Sequence, residues 1–398
     1  MVTSAIRTQP IFENGAAAAE CARSLAPAIR ARVSEAENLR RLPDDTVRDL
    51  LDTGLVSLLV PRTMGGSELN YDAVLDVTTV LGAACPSTGW VYALWTAHMW
   101  LIAQFPAAVQ NEVFGAPDSL VSSVVNTVGT MTAVEGGYRW SGKGFFSSGV
   151  DHCTWLTPAM DAADHDGVVE RRWFLIPRSE LRIVDDWYTM GLKGTGSKTI
   201  IVDDAFIPDE RVLRVKLLSA GQAPGAALHA GVLYHAASDF TYSLPVAMPA
   251  VGAARGFLNA YEERLKGRLN GSNPVQATEA LTMLPRLALG SAEIDAAYAV
   301  LLRDSLVYCT APADQFSDLD RAKCRRDTAY CAQLCRQAVN GLFQSSGGTA
   351  LFETSDLQRL WRDTNATAAH HGLNWDLRAP DVGRALVGLP SAAPPAQA

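Results

Sequence analysis

The spacing of apolar residues changes character twice along the chain, and this order constrains the fold more than any other feature. Residues 15 to 115 have the three-to-four-residue apolar spacing of helices. From about 120 to 215, short β-rich runs are separated by turn residues, and the pair Gly136–Gly137 predicts a hairpin. Helical spacing returns at about 240 and persists to about 370. The chain is therefore expected to be α+β, with a β domain between two helical regions.

Domain boundaries follow from these changes. We expect an N-terminal helical domain over residues 1–118 and a central β sheet or barrel domain over 119–215. Long helical segments joined by short loops predict an antiparallel four-helix bundle over 216–385. The tail 386–398, which ends in PSAAPPAQA, has the composition of a disordered segment.

Charge and composition exclude several classes of protein. The chain has 398 residues, 48% of them apolar, which is enough for a large core. Its formal net charge is −8 and its Lys and Arg residues are scattered, so a nucleic-acid or anionic-membrane surface is not expected. No apolar run is long enough for a membrane span, and the N-terminus lacks the pattern of a secretion signal. These features predict a cytoplasmic protein.

Three of the seven cysteines, Cys324, Cys331 and Cys335, are spaced by about two turns and one turn of a helix, which invites a metal-site interpretation. Zinc sites, however, usually combine closely spaced ligands from a turn with a second cluster, and the sequence has no CxxC. Buried free thiols that pack as small apolar residues are the better interpretation, so no metal site is predicted.

Common cofactor and hydrolase motifs are absent. The segment GLKGTGSKT is not a phosphate-binding P-loop, because Ser197 stands where the lysine belongs. No GxGxxG opens a strand–helix unit, so no nicotinamide site is expected, and neither HExxH nor GxSxG occurs.

Several segments, taken together and in order, resemble the acyl-CoA dehydrogenase superfamily over residues 20 to 380. These segments are LPDDTVRDLLDTGL, PRTMGGSELNYDAV, CPSTGWVYALWTAHMW, GKGFFSSGVDHCTW, WYTMGLKGTGSKTIIVDDAFIPDERV and WRDTNATAAH. Within the superfamily, the chain is most similar to oxygenase components of two-component flavin-dependent monooxygenases, which act on phenols such as 4-hydroxyphenylacetate, on seco-steroid phenols and on indoles. The resemblance implies reduced flavin (FADH2 or FMNH2) from a separate NAD(P)H:flavin reductase, O2 as co-substrate, a C4a-(hydro)peroxyflavin, a small aromatic substrate and a homotetramer.

The resemblance also implies flavin contacts. Ser147 and Ser148, in FFSSG, match positions that lie against N5 and O4 of the flavin, where a short donor stabilises charge. Without the match, the segment is an ordinary turn after a strand. On the neighbouring strand only one of Ser122 and Ser123 faces inward, and Ser123 is our choice. Trp90 is expected to pack on the flavin.

Two histidines are the implied catalytic groups. His98 lies eight residues after Trp90, roughly on the same helix face, and is expected to face the substrate, although a lone histidine in an apolar helix is more often a core residue. His370 occupies the region where acyl-CoA dehydrogenases often carry a carboxylate base, and its near-neutral pKa suits proton transfer. His371 is interpreted as structural, as a helix cap.

Two glycines and one loop complete the implied site. Gly347 and Gly348, in FQSSGGTALF, match a loop that approaches the flavin phosphate or adenine across a subunit interface, although a loop between helices needs glycine in any case. The segment GLKGTGS is expected to line the substrate pocket.

Three other functions remain open. The first is an acyl-CoA dehydrogenase, with Glu262 or Glu263 as the alternative base. The second is N- or S-oxygenation by the same flavin chemistry, and the third is a non-catalytic scaffold that retains the fold.

Overall fold

The computed structural model describes residues 9–390. Most of the predicted disordered tail, residues 391–398, lies outside the described residues. The helices are α1 (Gly15–Ala31), α2 (Val33–Leu39), α3 (Asp44–Asp52), α4 (Tyr71–Ala84), α5 (Pro86–Ile102), α6 (Ala107–Phe114), α7 (Val215–Ser219), α8 (Ser238–Leu269), α9 (Pro274–Tyr308), α10 (Asp318–Phe343), α11 (Asp356–Ala368), α12 (Trp375–Arg378) and α13 (Pro380–Leu386). The strands are β1 (Val121–Val124), β2 (Asn126–Val134), β3 (Gly137–Ser147), β4 (Trp155–Ala163), β5 (Val169–Phe174), β6 (Ile176–Pro177), β7 (Leu181–Val184), β8 (Lys198–Pro208) and β9 (Val212–Arg214).

Helix α5 lies in the centre of the N-terminal helical region and carries two of the predicted site residues. It is apolar all round and almost entirely buried, as expected of a helix enclosed by other elements. Trp95 and Trp100 are fully buried core residues. A side chain at Gly89 would lie 2.6 Å from the Cα atom of Gly82 in α4, so glycine is required for this close packing of α4 against α5.

The central β domain consists of two sheets. One has the strand order β1-β4-β5-β9, with β6 also paired to β4, and the other has the order β2-β3-β8-β7. The hairpin predicted at Gly136–Gly137 is confirmed, because Val134 pairs with Gly137 in the antiparallel β2–β3 register. Between Gly144 and Ser147 the β3–β8 register shifts, and Phe146 there adopts a positive φ of 66°. This bulge sets the direction of the side chains at the end of β3.

The C-terminal helical region packs α8, α9, α10 and α11 against one another. Helix α8 also packs on α4 and α5, so the bundle shares its core with the N-terminal helices. The cysteines of α10, namely Cys324, Cys331 and Cys335, are free and fully buried, as the thiol interpretation predicted. The α+β fold and its order of helices, sheet and helices are therefore confirmed.

No helix between residues 9 and 390 is both long and apolar enough to cross a membrane.

Candidate active site

Trp90 stands where three elements meet. From α5, its indole Nε1–H donates a hydrogen bond of 3.0 Å to Ser148 Oγ, just beyond the end of β3. On its other side, its ring centroid is 5.4 Å from that of His370, which follows α11. The structure thus brings together three residues that are distant in sequence and that were predicted to share a site.

The two serines that end β3 point in different directions. Ser148 is 7% exposed, whereas the side chain of Ser147 is fully buried in the β domain. The Ser147 hydroxyl lies 2.9 Å from Ser122 Oγ and donates to the Ser123 carbonyl at 3.2 Å. Ser148 is therefore the serine whose hydroxyl lies at Trp90. The hydroxyl of Ser147 is engaged inside the domain, which leaves only its backbone for the predicted flavin contact.

Ser122 and Ser123 lie on opposite faces of β1, as the strand period requires. Ser122 is fully buried, and its hydroxyl donates to the Ser148 carbonyl at 2.7 Å. This bond ties β1 to the turn that carries Ser148. Ser123 is partly exposed on the other face, and its predicted ligand contact remains a prediction.

His98 is a neutral histidine whose Nε2 atom can accept a hydrogen bond. Its Nδ1 lies 2.8 Å from the backbone carbonyl of Val121, and because a carbonyl only accepts, Nδ1 carries the proton. Burial lowers the pKa of His98 from 6.5 to about 4, despite that hydrogen bond. The ring is therefore neutral near pH 7, and its Nε2 is an acceptor.

His370 has the opposite tautomer. Its Nδ1 accepts the Gly372 N–H at 3.0 Å, so in the neutral ring the proton is on Nε2. Burial, followed by the charges of His371 and Arg378, lowers the pKa of His370 from 6.5 to about 4. His370 is thus a neutral N–H donor beside Trp90. The predicted capping role of His371 was wrong: His370 caps this turn, and His371 is exposed.

The alternative carboxylate bases lie elsewhere. Val246 of α8 lies next to the turn after His370, within 3.9 Å of a side chain built at Gly372. Glu262 is about 24 Å further along the same helix at a rise of about 1.5 Å per residue. Glu263 is exposed and forms an ion pair with Lys266. The carboxylate of α11, Asp363, is buried and accepts the Leu192 N–H at 2.7 Å.

Of the two predicted glycines, Gly347 lies beside two arginines at the far end of α8, whereas a side chain built at Gly348 would meet open space. Gly347 has a positive φ of 74°, and a side chain built there would be 3.6 Å from the Arg268 guanidinium. Arg264 donates to Thr349, while its Nε is buried without a hydrogen-bond partner. Burial and the Arg268 charge lower the pKa of Arg264. Among residues 9–390, no carboxylate pairs with either guanidinium. This pair fits an anionic group such as a phosphate.

The loop between β7 and β8 contains the segment GLKGTGS, which was expected to line the substrate pocket, but sequence reasoning did not predict the contact of its hydroxyls with Ser148. Ser197 Oγ lies 2.7 Å from Ser148 Oγ, and Thr195 Oγ1 lies 2.7 Å from Ser197 Oγ. Phe146, at the β3 bulge, is 63% exposed and packs edge-on against Trp187 with ring centroids 6.2 Å apart. The two hydroxyls in the segment GTGS were the available sequence signal: Ser197 contacts Ser148, and Thr195 contacts Ser197.

Comparison with known proteins agrees with this architecture. Residues 13–116 match the acyl-CoA dehydrogenase N-terminal domain and residues 244–375 match the acyl-CoA dehydrogenase C-terminal domain. A pigment production hydroxylase from a Rhodococcus species is 34% identical, with 93% of this chain and 96% of the relative covered. The oxygenase component of the FADH2-dependent resorcinol hydroxylase from a Rhizobium species is also 34% identical, with 92% of each chain covered.

The crystal structure of a 3-HSA hydroxylase from a Rhodococcus species superposes with a TM-score of 0.89. That protein is 32% identical, with 94% of this chain and 97% of the hydroxylase covered. The chain belongs to the acyl-CoA dehydrogenase family. Within that family, all three of these relatives are hydroxylases, and the resorcinol hydroxylase is FADH2-dependent.

Proposed function

We propose that this protein is the oxygenase component of a two-component flavin-dependent monooxygenase. It takes reduced flavin from a separate NAD(P)H:flavin reductase and hydroxylates a small phenol- or indole-type substrate. In the overall reaction, one atom of O2 enters the aromatic ring, the other becomes water, and the reduced flavin supplies two electrons and two protons. The observation that carries the proposal is that two buried histidines are neutral and have different tautomers, with Nε2 of His98 as an acceptor and Nε2–H of His370 as a donor.

The residues at two places fit a reduced flavin. Trp90 offers an aromatic surface for the ring system, and Ser148 Oγ lies against its indole. Arg264 and Arg268, beside Gly347, offer unpaired positive charge for the phosphate end. When bound, the flavin supplies the redox chemistry with O2, and the protein holds and orients the reactants.

Each histidine then has a definite task. His98 Nε2 can accept a hydrogen bond from the hydroxyl group of a phenol, which orients the substrate and raises the electron density of its ring. His370 Nε2–H can donate a hydrogen bond to the oxygen that is being transferred. Because burial keeps both rings neutral near pH 7, neither task needs a prior ionisation.

Anaerobic flavin reduction followed by oxygen provides the test. The protein, with reduced FAD or FMN and a panel of resorcinol, 4-hydroxyphenylacetate and indole, is mixed with O2. Hydroxylated product and hydrogen peroxide are then quantified per flavin oxidised. We expect product with at least one member of the panel and no NADH oxidation by the protein and flavin alone. Oxidation of an acyl-CoA by oxidised flavin, without hydroxylation, would instead establish a dehydrogenase.

We also infer a cytoplasmic location and a homotetramer, or at least a dimer. The seven cysteines are free, which suits a reducing compartment. Three leucines on α9 that recur near helical spacing, Leu281, Leu284 and Leu289, are exposed and offer an apolar surface for a second copy.

A further inference from the structure

A chain of buried hydroxyl groups runs from Trp90 to a backbone carbonyl. Trp90 Nε1 is 3.0 Å from Ser148 Oγ, which is 2.7 Å from Ser197 Oγ. Ser197 Oγ is 2.7 Å from Thr195 Oγ1, which is 2.9 Å from the Leu192 carbonyl oxygen. Each of the three hydroxyls is at most 7% exposed, so water does not compete freely for these bonds.

The groups at the two ends of this series of hydroxyls, the Leu192 carbonyl and the Trp90 indole, fix the direction of every hydrogen bond in it. A carbonyl only accepts, so Thr195 uses its one hydroxyl proton on Leu192. Ser197 must then donate to Thr195, and Ser148 must donate to Ser197. At the other end the indole N–H only donates, so Ser148 accepts from Trp90. Ser148 is left with one free acceptor site and no free proton.

The carbonyl that sets this direction is itself held in place. Leu192 adopts a positive φ of 53°, and its carbonyl also accepts the Trp187 indole N–H at 3.1 Å. Its N–H donates to Asp363 of α11 at 2.7 Å. The Thr195 carbonyl accepts the Gly149 N–H at 2.8 Å, which ties this loop to the turn after Ser148. The loop therefore holds the hydroxyl chain in one arrangement.

This direction matters for the redox state of a flavin, because N5 of oxidised flavin is a bare acceptor, whereas reduced flavin carries a proton there. We infer that Ser197 and Thr195 are positioning residues that make Ser148 an obligatory acceptor and thereby select reduced over oxidised flavin. This inference rests on the proposed function and on the position against flavin N5 that the family resemblance implies for Ser148. Ser148 accepts a hydrogen bond from the N5–H of reduced flavin and meets the lone pair of oxidised N5 with its own lone pair.

Two substitutions should free the hydroxyl proton of Ser148 from its hydrogen bond to Ser197, so that Ser148 can donate to another group. Ser197→Ala removes the group to which Ser148 donates. Thr195→Val keeps the size of the side chain and removes the acceptor for Ser197, so that Ser197 can turn and donate to Ser148. In both variants Ser148 can donate to N5 of oxidised flavin. We expect oxidised flavin to bind more tightly, and the ratio of its Kd to that of reduced flavin to fall about tenfold, in line with one hydrogen bond gained or lost.

The measurement is anaerobic titration of the full-length protein with oxidised and with dithionite-reduced FAD and FMN, followed by flavin fluorescence or equilibrium dialysis. The conservative variants Ser197→Thr and Thr195→Ser keep the hydroxyls and should restore the wild-type ratio. Ser305→Ala, which removes a buried hydroxyl that donates to the Leu301 carbonyl in α9, is the matched control and should leave both Kd values unchanged.

The outcomes separate this inference from the proposed function. If Ser197→Ala and Thr195→Val weaken both redox forms in parallel, the loop is merely structural and the inference is wrong. Equal binding of both forms by the wild-type protein would also overturn it, while leaving the hydroxylase intact. Failure of the wild-type protein to bind either form would overturn both.

Discussion

His370 uses its two ring nitrogens for different purposes, and substitutions can separate them. His370→Asn keeps an acceptor for the Gly372 N–H, because asparagine is a good cap, but it removes the distal N–H donor. We expect this variant to fold and to bind reduced flavin. Its rate of hydroxylation should fall about 10²- to 10⁴-fold, with hydrogen peroxide released in place of product. Product and peroxide per reduced flavin consumed are the measurement.

Two companion variants make the result specific. His370→Gln can place an amide N–H near the position of Nε2 and should retain more coupling than His370→Asn. His371→Ala is the matched control, because His371 is exposed and contributes no cap. It should leave coupling unchanged and change the unfolding free energy by at most about 0.5 kcal/mol, as for an ordinary surface substitution. An essential His371 with a dispensable His370 would contradict the assignment.

His98 predicts a pH dependence of stability with a definite sign. Its pKa of about 4 in the folded protein lies below the ordinary 6.5, so the unfolded chain binds more protons between these values. Its contribution to stability is therefore present above about pH 6.5 and is lost as the pH falls towards 4. His98→Asn keeps a donor for the Val121 carbonyl but cannot titrate. The unfolding free energy of the wild type relative to this variant should decrease by about 1.4 kcal/mol per pH unit across the window.

The comparison with the variant is necessary because two buried acids have the opposite effect. Burial raises the pKa of Asp304 and of Asp363 to about 6, so their contributions to stability are lost as the pH rises towards 6. Urea unfolding at several pH values measures the relative stability. A pH-independent difference between pH 4 and 6.5 would show that the ring of His98 is not held neutral by burial.

Sequence patterns predicted which residues form the site better than they predicted what each atom does. The positions of Trp90, Ser148 and His370 followed from a family resemblance, and the structure brings them together. The tautomer of each histidine, that is, which ring nitrogen carries the proton, did not follow from the sequence. It depends on backbone groups such as the Val121 carbonyl, whose position only the fold determines. Ser147 and Ser148 were likewise equivalent in sequence until the β3 bulge fixed their directions.

At the scale of elements, Asp363 connects helix α11 to the loop that carries the hydroxyl chain. Asp363→Ala leaves the buried Leu192 N–H without an acceptor and should cost about 1–3 kcal/mol. Asp363→Asn keeps an amide oxygen at the same place and should cost less than half as much. Urea unfolding gives both values, and amide hydrogen exchange at Leu192 should accelerate only in the alanine variant. Equal losses in the two variants would mean that charge, not this hydrogen bond, holds the loop.

The order of elements was predictable because helices and strands impose different apolar periods over long segments. The hairpin at Gly136–Gly137 was predictable from local turn chemistry. The β3 bulge and the contact of Ser197 with Ser148 were not, because both depend on pairing between segments about fifty residues apart. The architecture could therefore be predicted from local sequence patterns, whereas the arrangement of the site depends on long-range contacts that such patterns do not contain.

At the scale of the whole molecule, the site at Trp90 and His370 is far from the arginine pair, Arg264 and Arg268, within one chain. Val246 lies beside the turn after His370, and Arg264 is about 27 Å further along α8 at a rise of about 1.5 Å per residue. The family resemblance implies that the loop at Gly347 reaches the flavin across a subunit interface, and this separation supports it: we propose that a flavin bound at Trp90 is completed by Arg264 and Arg268 of a second copy, which makes the oligomer a condition of activity. A light-scattering mass equal to one chain at micromolar concentration would contradict this arrangement.

Mixed oligomers test the shared site directly. Two variants should each be inactive when they are the only chain present. The double variant Arg264→Ala/Arg268→Ala loses the phosphate contacts, and His370→Asn loses the N–H donor beside Trp90. In a hybrid of the two, one site combines an intact His370 with the intact arginines of its neighbour. Co-expression of the variants with different affinity tags, followed by tandem purification, should therefore restore hydroxylation. Hybrids as inactive as the parents would place both halves of the flavin site in the same chain.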